Sequence, residues 1–475
     1  MKKIIYLLLP GLFFVACTKD ISRFNEETKK AANVPAGTLF SNATRNLADA
    51  LASGSVNTNP FRFTVKHWAM AVYQDEAQYD FSTRNIPQAW WTTLYRDVLI
   101  DLKESAKVIT ADGTIAAGVK ANQLAIIDLM QVYTFDILVK TFGDVPYTDA
   151  LNSDNLTPKY DDAKTVYTDL LKRVADDIGK LTTANGSFSS SEDVVYKGSV
   201  AKWIKFANSL RMKMGMLLAD SDNATAKANV EAADANAMSS AADNALFTYL
   251  GATPNTNPLY ADIVLGGRGD YVAAEDLMTK LISLNDPRKS LYFGTNNAGA
   301  YQGGVVGKVN TYSDMSKPST QVSAAPAPLV LLDYVETEFY RAEAKERGYN
   351  VAGTAEQHYN NAIKASIIFW GGTNAEADAY LGESGVAYTT ATGSYKQKIG
   401  FQKWIAMYNR PFEGWTELRR LDYPQLTLAV AAKSGFPNRY QYPNNEQQLN
   451  GANYTATAAK IGGDKVETKL FWDKF

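Results

Sequence analysis

The chain has 475 residues and a formal net charge of −2, with 48 Lys and Arg set against 50 Asp and Glu, which excludes a sequence-independent grip on nucleic acid. Its single cysteine excludes an intramolecular disulfide, so any exported form relies on its core. With 27 Tyr, 20 Phe and 8 Trp against 2 His, the chain is rich in side chains that bury a large apolar area yet keep a polar handle.

The amino terminus reads as a lipoprotein export signal: Lys2 and Lys3, an apolar run from Ile4 to Val15, then a small residue before a cysteine at Ala16-Cys17. Such a run is too short to cross a bilayer, which takes about 20 apolar residues. Residues 1–16 are therefore expected to be removed, Cys17 to be acylated, and residues 17–36 to form a polar tether. No comparable apolar stretch recurs, so the remaining body, residues 37–475, is expected to touch the membrane only through its lipid anchor.

That body reads as mainly helical. Leu39 to Ser53 forms a first helix ended by Ser53-Gly54-Ser55, and Phe61 to Phe81 is aromatic-rich without a clear period. In Thr83 to Ile109, Trp90, Leu94, Val98 and Leu102 recur four apart, which makes one helix face apolar. Ala121 to Thr141 is a strongly apolar helix stopped at Gly143 and Pro146, and Tyr160 to Leu181 answers it. Lys202 to Ala219 pairs with Ala224 to Met238. Residues 244–328 lose the pattern, and their one convincing helix is Ala274 to Leu284; a long irregular insert in a compact protein usually carries binding groups. Pairing returns with Leu329 to Arg347, read as one helix, and a second helix from an N-cap at Thr354 to Trp370. Tyr395 to Tyr408 and Phe412 to Leu421 form a last pair before a Pro/Asn/Tyr-rich tail. Helix pairs at about 121–181, 202–238, 329–370 and 395–421 imply tetratricopeptide-like packing, in which each pair buries its inner face on a neighbour.

Six motifs carry a resemblance: Gly198-Ser-Val-Ala-Lys-Trp203 through Arg211, Phe142-Gly-Asp144-Val-Pro146-Tyr147, Asp286-Pro287-Arg288, Gln402-Lys403-Trp404, Glu413-Gly-Trp415 with Arg419-Arg420, and Arg439-Tyr-Gln-Tyr442-Pro443 with Glu446 and Asn450. In this order behind a lipoprotein signal, they resemble the SusD/RagB family, in its branch of SusD-like nutrient-binding outer-membrane lipoproteins. The resemblance implies a mainly α fold of tetratricopeptide-like pairs supporting an irregular ligand-binding region. It also implies a position on the extracellular face of the outer membrane, beside a SusC-like TonB-dependent β-barrel transporter that receives a captured oligosaccharide or peptide. Trp203, Trp404 and Trp415 sit at core spacing, and Arg439, Tyr442 and Glu446 read as a pinned C-terminal segment held by an ion pair and a proline turn, so these motifs are expected to be structural.

Ligand contacts are argued from chemistry instead. A sugar offers an apolar C–H face ringed by hydroxyls, which suits aromatic platforms flanked by Asp, Asn and Arg. Two stretches have that makeup, one from Tyr73 to Arg84 and one from Arg268 to Tyr271 with Tyr301 to Tyr312. They are expected to meet in space, with Tyr79, Trp91, Tyr301 and Tyr312 as platforms and Asp75, Arg84 and Arg268 as hydrogen-bonding groups.

Catalysis is not expected. His67 and His358 lack a neighbouring Cys, Ser or HExxH spacing, and no two carboxylates stand out as a glycosidase pair. Gly266-Gly267-Arg268-Gly269 lacks the Lys-Ser/Thr of a phosphate loop. Asp220, Asp222 and Glu231 mimic part of a calcium loop, but Ala224 and Thr225 stand where an oxygen ligand and a glycine are needed. No metal or cofactor is expected. Three classes remain: a surface binding subunit of a nutrient importer, a tethered hydrolase, and a scaffold or adhesion protein. Which ligand is bound, glycan, peptide or another nutrient, is left open.

Overall fold

The computed structural model describes residues 34–475; the signal, Cys17 and the tether up to residue 33 lie outside them. From Ala36 to Phe475 the chain is one compact unit.

Helix α1 (Ala36–Ala52) opens it, followed by the single-turn α2 (Phe61–Thr64) and strand β1 (Trp68–Met70). The long amphipathic segment forms as α3 (Ile86–Thr92), a π-helical turn over Thr93–Leu99, and α4 (Ile100–Ala111). Its Trp90, Leu94, Val98 and Leu102 stripe is fully buried.

The paired helices follow: α5 (Ala117–Phe142) with α6 (Ala163–Lys180), then α7 (Val200–Leu217) with α8 (Asn223–Ala233). Gly143 ends α5 at φ 88°, where its N–H donates to Val139 O at 3.0 Å. Asp162 and Asp222 cap α6 and α8 by accepting from Thr165 N and Thr225 N. The irregular region contributes β2 (Ala245–Phe247), β3 (Tyr271–Ala273), α9 (Glu275–Ser283) and α10 (Arg288–Tyr292).

Here one expectation is corrected. Residues 329–332, read as the start of a helix, form strand β4 (Leu329–Leu332), which pairs antiparallel with β2. Four consecutive buried aliphatics have no helical period, and the helix begins only where the Asp333 carboxylate accepts from Glu336 N at 2.8 Å. That helix, α11 (Tyr334–Glu346), pairs with α12 (Ala355–Phe369), whose Thr354 and Gln357 form the reciprocal capping box. Next come α13 (Asn374–Gly382), α14 (Tyr395–Ala406) and α15 (Pro411–Leu421). The tail carries two helices with little apolar signal, α16 (Asn444–Leu449) and α17 (Gly451–Lys460).

The four pairs stack: α6 packs on α7, α7 on α11, and α11 on α14, in tetratricopeptide-like fashion. A buried ionic ladder runs through the layers. Lys140 meets Asp136 at 2.6 Å; Lys213 meets Glu413 at 2.7 Å and Glu336 at 3.1 Å; Arg410 pairs with Asp333 at 3.0 Å and with Glu336. Farther along, Arg420 spans Glu417 and Glu343, and Lys403 lies 3.2 Å from Glu417 and over the Tyr340 ring. Charges taken out of water cost several kcal/mol each unless matched, and here each cation of the ladder meets a carboxylate. Burial alone would raise Glu343, yet the Arg420 guanidinium against it holds its carboxyl down at about 2. Burial dominates at Lys403 and brings its ammonium down to about 8.

The six motifs sit in this interior. Trp203, Trp404 and Trp415 are core residues, and their indole N–H groups donate to Asp193 Oδ2, Val65 O and Pro437 O. Gly198, at φ 84°, lies so close to Phe188 O that a Cβ would come within 2.4 Å of it. Asp286 and Arg288 form a fully buried pair at 2.6 Å. The C-terminal segment is pinned with a different partner than its spacing implied: Arg439 pairs with Asp464, while Glu446 accepts from Tyr160 Oη at 2.6 Å. Asp220, the first residue of the apparent calcium loop, instead takes Arg347 and Lys396.

Candidate functional site

Strand pairing decides which loops meet. Trp68 faces Ala273 and Met70 faces Tyr271 in the β1/β3 ladder, and Ala71 N continues it by donating to Asp270 O at 2.8 Å. The stretch after β1 is thereby laid beside the stretch before β3, although about 200 residues separate them in sequence. Asn310 ties in the third segment, since its Nδ2 donates to Met70 O at 2.8 Å.

The result is an open cleft of ≈ 490 Å³ walled by Val56, Asn57, Val72, Tyr73, Arg84, Arg268, Gly269 and Asp270. Tyr73 stands at its edge with 63% of its surface in water, and its backbone is left-handed at φ 58°. A bulky residue held in that region is strained, and such strain gathers at binding sites. The side chain of Arg84 lies 3.0 Å from Glu76 Oε1 and 3.5 Å from Asp75 Oδ2. Arg268 donates to both oxygens of Asp270, at 2.9 and 3.2 Å, and its guanidinium lies 4.6 Å over the Tyr271 ring. Tyr312 borders Gly269, whose Cβ position would lie in ordinary van der Waals contact with its ring at 3.9 Å.

Each cation of this cleft is paired with a carboxylate. Asp75, Glu76, Asp262 and Asp270 surround Arg84 and Arg268. Glu76 is 1% exposed, and burial pushes its carboxyl above the usual range against the pull of Arg84. Burial likewise raises Asp262, against the pull of Arg268 and Arg62. Both guanidinium groups are oriented by neighbours while keeping contact with water, an arrangement suited to hydrogen-bonding a polar, uncharged ligand.

Of the seven expected ligand residues, four reach the cleft: Arg84 and Arg268 line it, Asp75 lies against Arg84, and Tyr312 borders Gly269. The other three do not. Tyr79 is 3% exposed and its Oη accepts from Ala429 N, so it offers no face to a ligand. Trp91 is 7% exposed among Tyr95, Phe142, Tyr160 and Tyr442, and its free edge lines a separate cleft. Tyr301 is half-buried under Lys289, away from the cleft wall. In aromatic-rich sequence the core claims rings first, because each buries so much area. Tyr73, Val72 and Asn57 were missed as site residues; Tyr73 had a signal in its position between a buried aromatic run and an acidic turn.

The family model described as SusD-like, starch-binding and associating with the outer membrane, matches residues 28–443. The chain belongs to the SusD-like family. Solved structures agree on the fold. A chitin-binding protein superposes with a TM-score of 0.80 at 24% identity, over 93% of this chain and 100% of that one. A chitin-binding SusD homologue from Flavobacterium johnsoniae gives 0.78 at 23%, over 92% and 98%, and a SusD-like protein from Bacteroides thetaiotaomicron gives 0.76 at 23%, over 92% and 99%. No curated protein matches the sequence. The SusD-like fold explains why the motifs are buried: they specify the helical stack, while the cleft is built from segments that the motifs do not include.

Proposed function

We propose that this SusD-like protein is a non-catalytic glycan-binding subunit, moored by an acylated Cys17 to the extracellular face of the outer membrane. It captures an oligosaccharide in the cleft between Tyr73, Arg84 and Arg268 and passes it to a SusC-like TonB-dependent β-barrel. The observation that carries this reading is the β1/β3 pairing, which joins an exposed aromatic ring and two oriented guanidinium groups in one open cleft. The family description names starch and two structural neighbours are described as chitin-binding, so neutral glycans are the class to test first. The charge of the cleft supports the same choice, because both of its guanidinium groups already pair with carboxylates and leave no free cation for a polyanionic glycan.

Calorimetric titration with maltoheptaose, chitohexaose and heparin tests the ligand. A neutral oligosaccharide should bind, and Tyr73→Ala and Arg84→Ala should each weaken it by about tenfold. Preferred binding of heparin, or unchanged affinity in both variants, refutes the site. Chromatography of the same mixtures tests the absence of catalysis, since shortened glycans would contradict it. Mass spectrometry of protein isolated from its native membrane tests acylation at Cys17. Co-purification in detergent tests the partner, which should appear as a large β-barrel in comparable amount.

A further inference from the structure

A second concavity lies in the helical half, where the segment before β4 crosses α11, α12 and the end of α14. Its volume is ≈ 290 Å³, at the lower limit of small-molecule sites, which run from about 300 to 1,000 Å³. A sugar chain does not fit that space, whereas a compact ring compound does. It shares no wall residue with the cleft of Tyr73 and Arg84.

Its walls are mostly apolar and rigid. Trp370 and Tyr408 meet edge to face with ring centroids 5.6 Å apart, and Tyr408 is stacked on Tyr292 at 4.0 Å. Phe369 and Val330 complete the apolar part. Gln321 Nε2 donates to Trp370 O at 3.0 Å, which fastens the covering segment to α12.

One end of the cavity is polar and asymmetric. Asp333 accepts from Arg410 Nη1 at 3.0 Å and from Glu336 N at 2.8 Å, both at Oδ1, so its second oxygen is not used in these bonds. Asn409 accepts from Arg62 Nη2 at 3.0 Å through Oδ1, which leaves its Nδ2 amino group to serve another acceptor. The Arg410 charge is already answered by Asp333 and Glu336. An acceptor and a donor thus stand at the end of an aromatic slot whose lining cation, Arg410, and carboxylate, Asp333, already pair with each other, so neither an acid nor an amine meets an unpaired opposite charge.

We propose that this cavity is a binding site for a small uncharged aromatic or heterocyclic molecule carrying a hydrogen-bond donor beside an acceptor, as a primary amide does. The ring lies between Trp370, Tyr408 and Phe369; the amide N–H donates to Asp333 and the amide oxygen accepts from Asn409. Burying a polar edge without partners costs on the order of 1–3 kcal/mol, so the pattern selects the amide over the bare ring, and the carboxylates select it over an acid.

Calorimetry of the mature protein with benzamide, benzoate and benzylamine tests this assignment. One benzamide is expected per chain, with benzoate and benzylamine weaker by about tenfold or more. Ala327→Phe, which fills the mouth, and the isosteric Asn409→Asp, which replaces the donor with an acceptor, should each reduce benzamide affinity by about tenfold or more. Thermal melts and oligosaccharide binding at the cleft verify that both variants are folded. The proposal is overturned if benzamide does not bind, if either charged analogue binds as tightly, or if folded Asn409→Asp keeps full affinity. A failure there leaves the glycan site untouched, because the two concavities share no wall residue.

Discussion

In the helical stack the Arg420 side chain, 2% exposed, is divided between Glu343 and Glu417; in the cleft the Arg84 side chain, 38% exposed, lies between Glu76 and Asp75. The same pairing chemistry serves two ends. Inside the stack the ions are dry, the pairs are mutually exclusive with water, and removing one partner strands the other. At the cleft the guanidinium is steadied by carboxylates yet still touches solvent, so a ligand hydroxyl can take its place in the shell without a stranded charge. The comparison teaches that charge density alone marks neither stability nor binding; solvent access separates them.

The sharpest way to break the contrast is Arg420→Leu. It leaves Glu343 and Glu417 buried without their shared cation, and unfolding in urea should show a loss of about 3–5 kcal/mol. A loss below about 1 kcal/mol would mean that the ladder contributes little. Gly198→Ala comes next, because it forces a Cβ toward Phe188 O at φ 84°, and a loss of about 1–3 kcal/mol is expected in the same measurement. On the cleft side, Arg268→Ala takes both guanidinium bonds from Asp270, which is 6% exposed, so a loss of about 1–3 kcal/mol is expected together with an oligosaccharide affinity about tenfold lower.

The smallest effects separate the two histidines by sign. His358 Nδ1 faces Glu338 Oε2 at 2.9 Å and Nε2 faces Ala352 O at 2.7 Å. Burial opposes the charged ring, but with an acceptor on each nitrogen its pKa is raised above the ordinary 6.5. Its contribution is therefore fully present below pH 6.5 and lost as pH rises through the raised value. His67 is the reverse: burial beneath Trp404 lowers its pKa to about 3, so its contribution is present above pH 6.5 and declines as pH falls toward 3. Urea midpoints across this range should show His358→Gln losing its deficit on the alkaline side and His67→Leu losing its deficit on the acid side. Parallel curves for the two variants would contradict the assignment.

Much of the scaffold was legible in the sequence. The stripe of Trp90, Leu94, Val98 and Leu102, the Thr354 N-cap and the stop at Gly143 place the helices within a few residues of where they lie, because period and caps are local properties. The strand at Leu329–Leu332 was misread because an unbroken buried run has no period to distinguish it. Helices α16 and α17 were missed because α16 is built of Asn, Gln and Glu and α17 of Ala and Thr, so neither carries a stripe of large apolar side chains. The site was half legible: composition located the two stretches, but Tyr79 and Trp91 have the same appearance in sequence as Tyr73 and differ only in what packs over them.

By itself the sequence determined the helical pairs, the irregular insert and the chemistry available to each, since periodicity, capping and composition act over a few residues. Only the tertiary structure decided which aromatics face water, that Glu343 answers Arg420 from 77 residues away, and that β1 lies against β3 to make a cleft. Burial and long-range pairing depend on neighbours that the chain supplies from distant positions, and no local pattern records them.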